Sequence, residues 1–433
     1  MKKMCALLLA VVLLLTSCGS SDGEKGGSGS KWSNITTASD IKFTDPNMTY
    51  MGIKGDEDWV QEIIAKFKEM GGNPTFFDTV WENRHVLLST RITTQDSPDL
   101  YKYEAGSDDW PALIVAGQLQ RVDNLLDYSS PLFSHLAHVY ERMKIAGVPY
   151  ILPTNTGPYR SVVFYNKNLF DDYGLETPYE LYKRGEWTMD KMEEYAKKFS
   201  SEANGTIGMY AQDEGPFIAA TGKDIFGIDA NGKIFNNIRD PLIAKAMERV
   251  QKMYRENILT MDTDPALDLM KKGGLAMWVG PFWTIDTMKI MTVSGALELV
   301  PFPKDPAADK WYLDGLVDAF SIPVGAKNTD AALAWVATQA EYNKSQEKIK
   351  KEEATTSTKY NMPLEFGTLL TAMAGSSKFE LNFLTYHKFS GFQEKFFIEY
   401  WDNFIAGGQS WSTIVEKLSP VVDDEIKKLD AIH

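Results

Sequence analysis

The sequence predicts an α/β protein made of two doubly wound lobes joined by a hinge of several strands. Three observations carry that prediction. Ahead of residue 122 the order is strand, helix, strand, helix, strand, the pattern of a parallel sheet covered by helices. At 433 residues the chain also exceeds what one hydrophobic core usually serves. Finally, two stretches look like strands that leave one body and enter another. Gly147 to Phe170 holds two β-like runs, Tyr150–Leu152 and Ser161–Tyr165, split by a loop of Pro, Asn, Thr and Gly. Pro149 and Pro153 bracket the first run, and each removes a backbone donor and fixes φ, which suits a crossing better than a sheet interior. The second stretch is Ala276 to Val279, a buried-strand pattern that stops at Gly280-Pro281.

Taken in order, Met48–Met51 is the first strand, and Trp59, Ile63, Phe67 and Met70 then recur at helical spacing. Asp56 or Asp58 is placed to cap that helix. Asn73–Phe77 is the second strand and Val86–Thr94 the second helix. Ser97 to Tyr101 is a third strand arriving at a loop, Glu104 to Asp109, before a helix from Trp110 to Ala116. In such sheets ligands bind beyond the carboxyl ends of the strands. Those ends carry Lys54, Asp56, Tyr103, Glu104, Asp108 and Asp109.

After the first crossing, Thr188 is the N-cap of a helix whose apolar face includes Met192, Tyr195, Ala196 and Phe199. Lys191 stands three residues on, so there is no capping box. Ile207–Tyr210 is a short strand running into Gln212-Asp213-Glu214-Gly215-Pro216-Phe217. Asp229 to Lys233 has hairpin-turn composition. Pro241 to Asn257 is an amphipathic helix with proline in its first turn. Leu297–Phe302, Ala319–Val324 and a helix from Ala331 to Tyr342 follow. The end of the chain is helical and aromatic, through Phe389–Ile405 and Ile414–Leu429. Trp187 and Trp335 sit at helical spacing among apolar neighbours and are assigned to the core. Trp278 faces core or cleft by a single step of register. Asp99 is assigned to fixing a loop, and Tyr165-Asn166 to holding the helix that follows.

The amino terminus stands apart from the fold. Lys2 and Lys3 precede an apolar run from Met4 to Leu15, too short to span a bilayer and suited to a secretory signal. It ends in Leu15-Thr16-Ser17-Cys18, which resembles a bacterial lipobox, with cleavage before Cys18 and a diacylglycerol on its thiol. Cys5 would leave with the signal, so the mature domain would hold no disulfide and no cysteine metal site. Gly19 to Ser30 is a Gly/Ser-rich flexible tether. The expected division is 1–18 signal peptide, 19–35 tether, 36–150 plus 284–342 lobe 1, and 151–283 plus 343–433 lobe 2.

Formal net charge is -14 and no basic block tracks a phosphate backbone, so nucleic acid is excluded as a partner class. Aromatic content is high, with 11 Trp, 19 Tyr and 22 Phe. Trp and Tyr lining a cleft are the usual platform for sugar rings. A pyranose packs its C–H face on a π-face while its hydroxyls need carboxylates and amides. No dinucleotide or phosphate-loop motif and no HExxH occurs, and no GxSxG sits at a strand-to-helix turn. His135 and His138 share a helix face without a placed carboxylate, so no metal and no cofactor is called for. Carboxylates are abundant enough that a glycosidase pair stays open as an alternative.

Several motifs follow one another along the chain. They are Ser97-Pro98-Asp99, Tyr165-Asn166-Lys167-Asn168-Leu169-Phe170 and Glu186-Trp187-Thr188. After them come Ala276-Met277 with Gly280-Pro281-Phe282-Trp283, then Ser321-Ile322-Pro323 through Lys327-Asn328 to Ala334-Trp335. With them the chain resembles the extracellular solute-binding proteins of bacterial ABC importers, and more narrowly the carbohydrate-binding group that includes maltose-binding protein. The resemblance implies a type II periplasmic-binding-protein fold, two lobes closing on a ligand, and no catalysis. It implies sugar contact for the turn holding Lys54, a stacking aromatic at Tyr103, hydroxyl binding by Glu214, and stacking by Trp283 or Phe282. Asp108, Tyr159 and Trp401 complete the candidates. Tyr159 stands where maltose-binding protein has a carboxylate, and Gly215 is an extra residue between Glu214 and the proline. The resemblance does not extend to the stretch around Asn343 to Glu365.

The expected function is a lipid-anchored receptor on the outer face of the cytoplasmic membrane. It would be a monomer that captures an oligosaccharide and delivers it to an ABC permease. The alternatives are a surface glycoside-processing enzyme and a surface glycan-binding protein without transport.

Overall fold

The computed structural model describes residues 30–52, 58–79, 84–103, 110–158, 161–201, 203–229, 232–286, 296–306, 308–382, 385 and 388–432. Its strands are β1 (Asn47–Gly52), β2 (Asn73–Asp78), β3 (Leu100–Tyr103), β4 (Leu152–Pro158), β5 (Val162–Asn166), β6 (Ile207–Ala211), β7 (Phe226–Ile228), β8 (Ile234–Asn236), β9 (Leu259–Thr260), β10 (Leu275–Gly280), β11 (Leu297–Pro301), β12 (Trp311–Ser321) and β13 (Phe379–Asn382).

Two sheets organise these strands. The first runs β13-β12-β3-β1-β2, with β4 also on β12, and the second runs β11-β5-β10-β6-β9. In the first, β1 is parallel to β2 and β3, while β12 is antiparallel to β3 and β4. In the second, β6 is parallel to β10 and β9, and β5 is antiparallel to β10 and β11. Helices intervene between the parallel strands, as right-handed crossovers require. β7 and β8 form the expected hairpin, with Gly232 at φ 78 in the turn.

The chain does change sheet in the stretch with which it was expected to cross. Pro158 pairs with Gly315 in the first sheet, and Val162 pairs with Gly280 in the second. The second crossing lies elsewhere than expected. The Gly280-Pro281 break ends β10, but the chain then returns to the same sheet, where β11 pairs with β5 from Leu297 to Pro301. It changes sheet only between Pro301 and Trp311. Residues 297–301 therefore lie with the second sheet rather than with lobe 1. Likewise β13, inside the segment assigned to lobe 2, pairs with β12 in the first sheet.

Motif residues act mainly as joints. The Asp99 carboxylate accepts from the Thr49 amide and hydroxyl, each at 2.8 Å, and from the Lys327 and Asn328 amides at 2.8 and 2.7 Å. Two motifs far apart in sequence thus meet at one carboxylate. Asn166 caps the helix Lys167–Asp172 by accepting from the Asn168 amide, and Thr188 caps Met189–Phe199 through the Lys191 amide. Trp187 is fully buried and donates to the Pro301 carbonyl at 2.9 Å. Trp335 packs among Tyr50, Phe67 and Phe76. Trp278 turns to the core, its ring 3.9 Å from that of Tyr210.

Candidate ligand-binding site

The second sheet presents the carboxyl ends of its three parallel strands, β10, β6 and β9, at one edge. β6 ends at Ala211 and runs into Gln212, Asp213 and Glu214. Gly215 and Pro216 then start a short helix, Gly215–Ala219, whose first amide donates to Asp213 Oδ1 at 3.0 Å. β9 ends at Thr260, so Met261 and Asp262 emerge beside them. Across from this edge lies the helix Ser390–Ile398, which widens without a break into a π-helical turn, Glu399–Ala406. Stretches of π-helix are uncommon and concentrate at functional sites.

Between these elements is a cavity of about 460 Å³, lined by Gln212, Asp213, Glu214, Met261, Asp262, Gln393, Phe396, Phe397, Tyr400 and Trp401. Its size is in the range of small-molecule sites. In the π-helical turn the consecutive residues Tyr400 and Trp401 both reach it. Trp401 is partly buried, edge-on to Tyr400 at 5.4 Å, and Phe397 stands 6.2 Å from it with 62% of its surface exposed. Tyr400 is buried, its hydroxyl 3.4 Å from the Met261 sulfur. Burial, and next the Glu214 and Asp213 carboxylates, push its phenol well above the usual range; its hydroxyl also hydrogen-bonds Glu214. Carboxylates and amides at the strand ends therefore face aromatic rings on the opposite wall, which is chemistry for hydroxyl groups on a carbon ring.

Of the residues singled out in the sequence, Glu214 and Trp401 come together in this cavity. Trp283 lies at the same edge but not in the cavity lining. It follows β10, which runs parallel beside β6 with Val279 opposite Ala211, and it is 49% exposed. Tyr103 closes β3 opposite Ala319 in the first sheet. Lys54, Asp108, Tyr159 and Cys18 lie outside the described residues. Sequence reasoning missed Asp213, Asp262, Phe397 and Tyr400. The strand-end rule that selected residues in the first lobe also selects Asp213 and Asp262 when applied to β6 and β9. Among the described residues, no group of three or more His, Cys, Asp or Glu is placed to hold a metal ion, and none of the helices is long and apolar enough to cross a membrane.

Compared with curated proteins, the sequence matches none. Among solved structures, the extracellular solute-binding protein of Staphylococcus aureus in complex with maltose is similar at TM-score 0.65 and 15% identity, over 90% of this chain and 100% of that one. The galacto-N-biose/lacto-N-biose I-binding protein of the Bifidobacterium longum ABC transporter, in complex with lacto-N-biose, is similar at TM-score 0.63 and 18% identity, over 89% and 98%. An ABC substrate-binding protein from Listeria monocytogenes in complex with cycloalternan gives 0.62 and 14%, over 88% and 99%. At these identities the likeness establishes the fold. A family model described as bacterial extracellular solute-binding protein matches residues 54–341, well over half of the sequence. The chain belongs to the bacterial extracellular solute-binding proteins.

Proposed function

We propose that this protein is the substrate-binding lipoprotein of an ABC importer. It captures a sugar or oligosaccharide between two lobes, one around each sheet, and delivers it to a membrane permease. The observation that carries the sugar reading is the cavity in which Glu214, Asp213 and Asp262 face Tyr400, Trp401 and Phe397. Structural relatives held with maltose, lacto-N-biose and cycloalternan support it. Trp283 stacks on the same ligand from the neighbouring strand end, and Lys54, Tyr103, Asp108 and Tyr159 contribute from the first lobe.

The mechanism follows from two states. The open form exposes the two half-sites, and a ligand that touches both favours the closed form by its differential affinity for it. The hinge lies at the two changes of sheet, Pro158 to Val162 and Pro301 to Trp311. The protein acts as a monomer without turnover, held at the outer face of the cytoplasmic membrane through a diacylglycerol on Cys18.

A thermal-shift and calorimetric screen of the purified protein against mono- and oligosaccharides tests this. A ligand at a hundred times its Kd adds about 2.7 kcal/mol of apparent stability. The expected result is a saccharide hit, recovered unchanged, that Trp283→Ala and Trp401→Ala each weaken. A cleaved saccharide would establish an enzyme, and a shift by peptides or polyols alone would replace the ligand class. Mass spectrometry of the membrane fraction is expected to find the thioether on Cys18, and Cys18→Ser is expected to release the chain.

A further inference from the structure

The helix Gln346–Tyr360 lies beyond the residues matched by the family model and has no role in the site described above. It follows the helix Thr329–Lys344, which packs on β1, β4 and the helix Asp58–Glu69 of the first body. Its own surface is polar, and only Thr356 and Tyr360 are buried. It packs along the next helix, Leu364–Gly375, and specific side-chain contacts tie it to other elements. Lys351 pairs with Glu62 of the helix Asp58–Glu69 at 2.8 Å. At its far end, Lys359 pairs with Asp286 at 3.1 Å, and the Tyr360 ring meets Phe282 edge-on, centroids 5.8 Å apart at 89°. Lys359 also donates to the Tyr360 hydroxyl at 2.8 Å, so these two side chains act together.

That end is firmly stopped. Asn361 takes the left-handed conformation at φ 51, and the Ser357 hydroxyl donates to the Met362 carbonyl at 2.8 Å. The next helix, Leu364–Gly375, lies so close that a Cβ on Gly367 would stand 2.7 Å from the Glu353 carbonyl oxygen.

The turn being gripped is the 3₁₀ segment Phe282–Asp286, which carries Trp283. In a 3₁₀ helix residues i and i+3 eclipse. Phe282 and Ile285 thus form the inward side, with Ile285 fully buried and Phe282 held between Phe164, at 6.3 Å, and Tyr360. Trp283 and Asp286 form the outward side. Trp283 is 49% exposed and rides on this turn, so the conformation of the turn contributes to its direction. Lys359 holds the outward side through Asp286, and Tyr360 holds the inward side through Phe282.

We propose that Lys359 and Tyr360 are positioning residues for Trp283, making the helix Gln346–Tyr360 a strap from the first body to the aromatic platform of the second. The inference rests on the reading of Trp283 as a ligand contact. It is tested on the whole protein carrying 5-fluorotryptophan at its 11 tryptophans, with the Trp283 fluorine resonance assigned by Trp283→Phe. In Tyr360→Leu and in Lys359→Gln that resonance is expected to shift or broaden without ligand, and Lys359→Arg is expected to restore it. A resonance unmoved in both variants overturns the proposal, and the surface change at Lys359 decides if Tyr360→Leu fails to fold. With maltotetraose as probe, Tyr360→Leu is expected to weaken binding about fivefold, and not at all in a Trp283→Ala background, because the two would share one coupling. A penalty that persists undiminished in that background also overturns the strap. Failure of maltotetraose and every other saccharide to bind overturns the sugar reading instead, and the fluorine resonance still decides this one.

Discussion

Asp99 stands just before β3, at the amino end of its strand, and Glu214 stands just after β6, at the carboxyl end. Their burial is nearly the same, 3% and 4% exposed. What differs is what their oxygens meet. The two Asp99 oxygens take four donors from Thr49, Lys327 and Asn328, all fixed in the protein. Glu214 shares a hydrogen bond with Tyr400 and faces a cavity of about 460 Å³. Burial alone therefore does not separate Asp99 from the carboxylate proposed to meet a ligand. On the proposal that Glu214 meets a ligand, contact with the cavity does: a carboxylate whose lone pairs the fold has filled, as at Asp99, cannot also serve a ligand.

The largest expected effect tests the structural half of this contrast. Asp99→Ala removes the shared acceptor of three amides and a hydroxyl, and stability is expected to fall by about 3 kcal/mol or more. Urea unfolding measures it, and ligand affinity of the folded fraction is expected to stay unchanged. Glu214→Gln keeps the shape and removes the charge. The expected loss is about 2 kcal/mol in saccharide affinity by calorimetry, from charge-assisted bonds to hydroxyls, with a much smaller change in the urea midpoint. If Glu214→Gln destabilises the protein as much as Asp99→Ala while binding survives, Glu214 is a second joint and the contrast collapses.

The same contrast explains what was legible in the sequence. Several of the motif residues proved to be joints: Asp99 ties Ser97-Pro98-Asp99 to Lys327-Asn328, Trp187 reaches the Pro301 carbonyl, and Asn166 caps its helix. Joints need particular residues at particular places, so they leave a pattern that gives the fold. The site was legible only in part. Glu214 and Trp401 meet in the cavity, and Tyr400 reaches it beside Trp401 in a stretch where the helix widens to a π-turn. An α-helical period cannot show that. Asp262 follows a strand of two residues, too short for alternation to appear. β11 lies with the second sheet rather than the first, because its pairing with β5 is a long-range contact that the five residues Leu297–Pro301 do not encode.

Trp401→Ala sharpens the recognition half more gently. Trp401 is only partly buried, so saccharide affinity is expected to fall by about 1 kcal/mol, the scale of an aromatic contact, while the melting temperature of the free protein moves little. A larger loss of stability than of affinity would assign the ring to packing with Phe397 and Tyr400.

The smallest effect concerns a third carboxylate, Glu298 on β11, opposite Tyr165 on β5, whose hydroxyl donates to it. Its pKa is raised above the ordinary 4.5, with burial the largest cause and the Tyr165 hydrogen bond working the other way. The folded state then holds the proton more readily than the unfolded chain. Its contribution to stability is fully present below the unfolded value and is lost as pH rises through the folded one. Glu298→Gln keeps an acceptor for Tyr165 without the buried charge. At pH 7 it is expected to be more stable than the parent by under about 1 kcal/mol, a gain that disappears in acid. Urea unfolding across pH 4 to 7 measures the difference. Asp99 has four donors, while Glu298, like Glu214, meets a tyrosine hydroxyl, so Glu298 extends the comparison to a carboxylate outside the cavity. Should the parent instead gain stability over Glu298→Gln as pH rises, one phenol would suffice to offset the burial of a carboxylate, and donor supply would no longer distinguish the joints from the site.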